Sequence, residues 1–149
     1  MSNVHDVAAY ILEVYGTLSA MKLQKLVYYS QAWSLVWDDR LMFSERIEAW
    51  ANGPVAPDLY NLHRGEFQLS EWPWGHSGQV DEIARDTVDL VLGYYGPMNA
   101  QQLSDLTHAE APWREARKGL KAGERGTRVI TPAAMMEYYS SLTDEDAEG

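Results

Sequence analysis

The sequence predicts a mainly α protein: a compact single domain of six to seven helices around a buried central helix, with one short β-hairpin. Three observations predict it. Apolar residues recur at helical spacing in several segments, each bounded by capping or breaking residues. One segment, Ala20 to Trp37, is apolar on nearly every face, as a buried helix is. Only one short stretch, near residues 41–50, reads as strands. The 149 residues are 46% hydrophobic, enough for one core and inconsistent with general disorder.

The elements follow in chain order. Val4, Val7, Ala8, Ile11, Leu12 and Tyr15 form a helical stripe, with Asn3 as N-cap and Gly16 as stop. Ser19 opens the long helix to Trp37. Its only charges, Lys22 and Lys25, lie in its first two turns, where they are expected to reach solvent. Asp38-Asp39 closes it. Leu41-Met-Phe43 and Ile47 to Trp50, flanking Ser44-Glu-Arg46, read as the hairpin. Pro57 suits the first position of a helix through His63. Gly65 to Gly78 is a long loop holding Phe67, Trp72 and Trp74, which argues that it packs on something. Asp81 to Tyr95 is a helix with Ile83, Val88, Val91 and Leu92 inside. Asn99 caps a short helix to about His108, Pro112 starts another through Lys118, and Thr131-Pro132 starts the last, to about Leu142. The first helix, the hairpin and the last helix are expected at the periphery. The domain is expected to span 1–142, with 143–149 an acidic, flexible, solvated tail.

Glu48-Ala-Trp-Ala-Asn-Gly-Pro-Val-Ala-Pro-Asp-Leu-Tyr60 is the most informative stretch. Asn52-Gly53 suits a tight turn. Pro54 and Pro57 lock φ and push their predecessors toward extended geometry. The elbow holds Trp50, Val55 and Tyr60 in fixed relative places. It serves a substrate, a protein partner or its own core, and turn chemistry alone does not choose among them.

The net charge is -10, from 12 basic and 22 acidic residues. That balance disfavours nonspecific nucleic-acid binding and favours a basic partner. Half of the basic residues (Arg114, Arg117, Lys118, Lys121, Arg125 and Arg128) crowd into one segment. That segment is either a face for phosphate or an acidic surface, or simply a solvated face. There are no cysteines, which excludes disulfides, a thiol nucleophile and Cys-ligated zinc. No secretory signal and no membrane-length apolar run is visible, so a cytoplasmic protein is expected.

No strong enzyme signal emerges. The four histidines include no i, i+4 pair, no serine sits in a nucleophile elbow, and no glycine loop has Walker order. His108 and Glu110 near Asp105 make a weak metal candidate, against the plainer reading of His108 as a helix-end residue bonded to backbone carbonyls. A small hydrolase or nucleotide-binding enzyme centred on His108, Glu110 and Arg114 is a remote alternative. Paired acids such as Asp38-Asp39 and Asp81-Glu82 read as caps. No catalytic residue, metal or cofactor is therefore expected. Six Trp and nine Tyr are many, and those in loops or at helix starts (Trp50, Tyr60, Trp72, Trp74 and Trp113) suit either the core or an interface.

Three ordered stretches carry a family resemblance: Met21-Lys-Leu-Gln-Lys-Leu-Val-Tyr-Tyr-Ser-Gln-Ala-Trp33; Phe43 to Tyr60, with Glu-Ala-Trp, Asn-Gly-Pro-Val and Pro-Asp-Leu-Tyr; and Leu106-Thr-His-Ala-Glu-Ala-Pro-Trp-Arg-Glu-Ala-Arg117. Together, over about residues 19–118, the chain resembles the Panacea domain, the SocA-like or GepA-like domain of bacterial and phage proteins. Asn52 departs from the pattern, standing where the family often has an aromatic. The resemblance implies a largely helical antitoxin that neutralises a protein toxin encoded by a neighbouring gene through direct binding. It also implies an alternative, the SocA-type adaptor that delivers its toxin to the ClpXP protease. No appended DNA-binding domain is visible. Trp50, Val55, Tyr60, Trp113 and Arg117 are the expected partner-contact residues, with internal packing as the competing role of each. No direct nucleic-acid or membrane contact is expected.

Overall fold

The computed structural model describes residues 2–148, with side chains as far as Thr143. Among these are seven α-helices: α1 (Val4–Tyr15), α2 (Ala20–Trp37), α3 (Pro57–His63), α4 (Glu82–Tyr95), α5 (Ala100–Ala109), α6 (Ala111–Ala116) and α7 (Pro132–Glu148). Two antiparallel strand pairs accompany them, β1 (Leu18–Ser19) with β4 (Gln68–Leu69), and β2 (Glu48–Trp50) with β3 (Gly53–Val55). The protein is mainly α, as its sequence predicts.

Local chemistry sets the helix starts. Asn3 and Asp6 form a reciprocal capping box on α1, and Asn99 and Gln102 form one on α5. Ser19 caps α2 through Lys22 N, and Asp81 caps α4 through Ala84 N. Gly16 ends α1 at φ 98, a conformation costly for any residue with a Cβ.

The core is built on α2. Leu23, Leu26, Val27, Tyr28, Tyr29 and Ala32 are all at most 1% exposed. Helices α1, α4, α5 and α7 surround it. The first and last helices are not peripheral. Val4, Val7, Ala8 and Ile11 of α1 are fully buried. Met135 and Tyr139 of α7 are too, and Tyr139 packs edge-on to Tyr28 and Tyr29 of α2. The apolar residues of α7 are few but large, and they find a ready groove. In α4 the expected inward Ile83 is 54% exposed. The buried stripe of α4 runs through Ala84, Thr87, Val88 and Val91, and Ile83 in the first turn falls off its edge.

The hairpin is displaced from its expected place. Residues 41–43 do not form a strand. The Gln31 side chain of α2 claims them: its amide donates to Phe43 O at 2.7 Å, and its oxygen accepts from Met42 N at 2.7 Å. Their backbone needs are met by a side chain, so no strand partner is required. The hairpin lies within the elbow instead, β2 returning as β3 with Trp50 opposite Gly53 and Glu48 opposite Val55. Gly53 takes φ 129 there, and a Cβ on it would lie 2.6 Å from the Lys25 Cε. Residues 128–130 add a third edge: Ala49 N donates to Arg128 O, and Ile130 N to Ile47 O, both at 2.8 Å.

The long loop is folded onto α1 and α3. It contributes β4, the buried Trp72 and a 3₁₀ turn at Ser77–Gln79. Helix α6 ends at Ala116, before Lys118, and α7 runs past Leu142. The acidic side chains of 144–149, expected as a solvated tail, lie outside the described side chains.

Candidate functional site

The N-terminal half of α2, the β2–β3 hairpin, α3 and the loop 123–127 line an open cavity of about 410 Å³. The elbow positions its walls. Pro57 starts α3 directly after β3, so Tyr60 stands one turn into the helix, beside the hairpin. Its ring meets Trp50 edge-on at 4.8 Å. Val55 completes this wall from β3. Trp50 and Tyr60 are half-buried and Val55 nearly buried. The structure thus brings together three of the five expected contact residues.

The other two, Trp113 and Arg117, stand behind the hairpin. They lie four residues apart at the end of α6, on one side of it. Trp113 Nε1 donates to Trp50 O at 2.8 Å, and Arg117 Nη1 donates to Ala49 O at 3.1 Å. Arg117 Nη2 donates to Lys121 O at 3.3 Å and also to Glu124 O. Its guanidinium lies over the Trp113 ring, 5.2 Å from the centroid. Arg117 is 6% exposed, so it braces the hairpin and the 121–124 turn from inside. The crowded basic segment divides accordingly: Arg117 turns inward, whereas Lys118, Lys121 and Arg125 stay exposed.

The floor of the cavity holds a residue expected at the surface. Lys25 does not reach solvent; it is 2% exposed. Its aliphatic stem runs beneath Gly53, and only there does the absent Cβ leave it room. Its Nζ has one long contact, 3.4 Å from Pro54 O. No carboxylate faces it among the described residues. Burial lowers its pKa from 10.5 to about 8. Beside it, Gln24 is saturated: its oxygen accepts from Ala56 N at 2.8 Å, while its amide donates to Ala56 O at 3.2 Å and lies 3.0 Å from His63 Nε2. Burial holds the His63 pKa below the ordinary value, and the Lys25 charge pushes the same way. The signal that marks Lys25 is a charged residue on the apolar side of a helix whose other faces are also apolar.

The His108, Glu110 and Arg114 trio does not converge. His108 stacks on Trp113, with centroids 4.0 Å apart, and bonds to the Asn52 backbone. Glu110 points the other way: its Oε1 accepts from Tyr29 Oη at 2.7 Å and from Tyr139 Oη at 2.8 Å. Burial raises its pKa, and the two hydroxyls oppose the rise. Arg114 is exposed. Among the described residues no group of three or more His, Asp or Glu is arranged to hold a metal ion. No helix there is long and apolar enough to cross a membrane.

A second concavity, about 600 Å³, opens at the other end of α2 between α4, α5 and α7. Trp37, Leu90 and Tyr94 stand on it with 46%, 62% and 69% exposure. Helical periodicity did not reveal it, because an outward apolar residue on a largely apolar helix looks like any other.

No curated protein and no solved structure gives a match to this chain. A family model, the Panacea domain of SocA-like antitoxins, matches residues 23–114. The matched span takes in Lys25, Trp50, Val55, Tyr60 and Trp113, and stops short of Arg117 and the loop 123–127. It covers more than half of the sequence, and the chain belongs to the SocA-like antitoxin family, Panacea domain.

Proposed function

We propose that this protein neutralises a cognate protein toxin, the product of a neighbouring gene, by binding it directly in the cytoplasm, and does so without catalysis. The contact is centred on the rim of the cavity at Trp50, Val55 and Tyr60, with Trp113 and Arg117 as positioning residues. The observation that carries this is the build of the rim. Trp50 on the hairpin and Tyr60 on α3 stand partly exposed over the buried Val55, and the hairpin is held rigid from behind, which is how interface anchors are presented. Family membership supplies the class of partner. A net charge of -10 suits steering toward a basic toxin surface.

Exchanging Trp50 and Tyr60 for alanine is expected to abolish growth rescue when the protein is co-expressed with the adjacent gene's product. Each truncation at an anchor costs about 2 kcal/mol, roughly thirtyfold in affinity. The two rings touch, so the double variant loses less than the sum. Full rescue by a folded double variant, or a neighbouring product harmless on its own, overturns this reading.

One observation favours an adaptor that passes its toxin to ClpXP. The cavity and the apolar groove share no lining residue. Lys25 lines one and Trp37 the other, twelve residues apart on α2, or about 18 Å. An adaptor must hold two proteins at once, and two separated surfaces permit that. Toxin half-life measured with and without ClpX decides between the readings: a half-life independent of ClpX leaves sequestration alone.

A further inference from the structure

Lys25 is a buried cation without a counter-anion among the described residues. Taking an ammonium out of water is costly unless an opposite charge receives it. The buried Arg117 and Gln24 beside the same hairpin are each held by several partners. Lys25 has only the long contact to Pro54 O, and it lines the cavity. His63 from α3 and His108 from α5 are held below the ordinary histidine pKa, by burial first and by the Lys25 charge as well, so they add no charge; Arg125 on the rim is the second cation. The cavity is thus a small cationic pocket in a protein of net charge -10.

The chemistry of the walls selects among anions. A phosphate dianion wants several N–H donors converging on it. Here the Gln24 amide is committed to Ala56, and the His63 nitrogen to Gln24. At the base one ammonium remains, surrounded by Ala20, Met21, Trp50, Val55 and Tyr60, while the Arg125 guanidinium lies out on the exposed rim. A single ammonium at the base of an apolar pocket matches a monoanion on an apolar stem.

We propose that this cavity is a carboxylate-binding site: in the complex with the toxin, Lys25 receives a carboxylate of the toxin, and the stem bearing it lies along the wall formed by Trp50, Val55 and Tyr60. The assignment of the carboxylate to a toxin rests on the antitoxin reading above. The site itself does not.

The test has two arms. In the first, wild type and Lys25→Met are titrated with 3-phenylpropionate, its neutral amide 3-phenylpropionamide, and inorganic phosphate, followed by tryptophan fluorescence. The acid is expected to bind wild type at least about tenfold more tightly than the amide, the scale of one charge-assisted hydrogen bond, and Lys25→Met is expected to erase that preference. In wild type, the Lys25 side-chain NMR signal should move with the acid and not with the amide, a readout that needs no variant. Equal affinity for acid and amide, a preference that survives in Lys25→Met, or tighter binding of phosphate than of the acid overturns the proposal. In the second arm, Lys25→Met is co-expressed with the toxin. A drop of about tenfold or more in toxin affinity is expected for this charge-assisted contact. Unchanged neutralisation by the variant removes the toxin as the source of the carboxylate and leaves the antitoxin reading standing. A wild type that neutralises nothing removes the antitoxin reading, and the acid–amide comparison then decides the site by itself.

Discussion

Replacing Arg117 by methionine is expected to destabilise the protein by about 3 kcal/mol and to release the loop that closes the cavity. Methionine keeps much of the volume, so the loss reports the guanidinium. Arg117 joins three carbonyls from two parts of the chain: Ala49 in the hairpin, and Lys121 and Glu124 in the loop. Without it the buried Ala49 carbonyl loses its side-chain donor, the part-buried Lys121 and Glu124 carbonyls lose theirs, and the cation–π contact to Trp113 goes as well. Lysine does not rescue the loss, because its ammonium lacks the planar fork that spans three acceptors. Urea denaturation gives the stability change, and amide exchange across 121–127 gives the loop. Gly123, Arg125, Gly126 and Thr127 form one wall of the cavity, so that wall is expected to lose definition too. Unchanged stability and unchanged exchange in Arg117→Met mean that the hairpin and loop are held by other contacts.

Lys25→Met is expected to have the opposite sign. Its folded-state pKa of about 8, against an ordinary 10.5, means that holding the proton costs the fold up to about 3 kcal/mol at neutral pH. As pH falls from 10.5, the unfolded chain takes up this proton first. Stability conferred by a neutral Lys25 is therefore lost between about 10.5 and 8, and the full cost persists below 8. The variant should be more stable than wild type at pH 7, and the gap should close as pH rises to 10.5. Buried Tyr28, Tyr29, Tyr95 and Tyr139, all with raised pKa values, make both proteins less stable at high pH; comparing the two proteins removes that contribution. Urea midpoints at pH 7 and 10.5 measure the gap. A gap that is constant with pH, or a variant less stable than wild type at pH 7, shows that Lys25 is not a buried charge in deficit. A residue that costs stability while facing a cavity is one that function retains.

Legibility in the sequence followed the range of the interactions. Asn3 with Asp6, Asn99 with Gln102, Ser19 and Pro57 act on backbone groups within three or four residues. Such codes are read locally, and the helix starts were legible from them. The central place of α2 was legible from its apolar faces. The hairpin was only half legible. Asn52-Gly53 announces the turn locally, but the strands lie later than the apolar pattern suggests, because nothing near residues 41–43 announces that Gln31 satisfies them. The depth of α7 and the exposure of Ile83 were likewise invisible: periodicity marks an apolar side without naming what covers it.

The site divides along the same line. The elbow's rigidity and its aromatics come from adjacent residues, and the sequence singled out Trp50, Val55 and Tyr60. It also grouped Trp113 and Arg117 with them, since both residue types serve surfaces and interiors. Only the packing of α6 behind the hairpin decided that these two face inward. Lys25 is the extreme case. By itself the sequence determined a helical domain, its caps, its rigid elbow and its family. The tertiary structure alone decided that a lysine two turns into α2 lies under Gly53 with no carboxylate to meet it among the described residues. Its burial depends on residues 25, 53, 54 and 107 converging from distant parts of the chain, and no local pattern encodes that convergence.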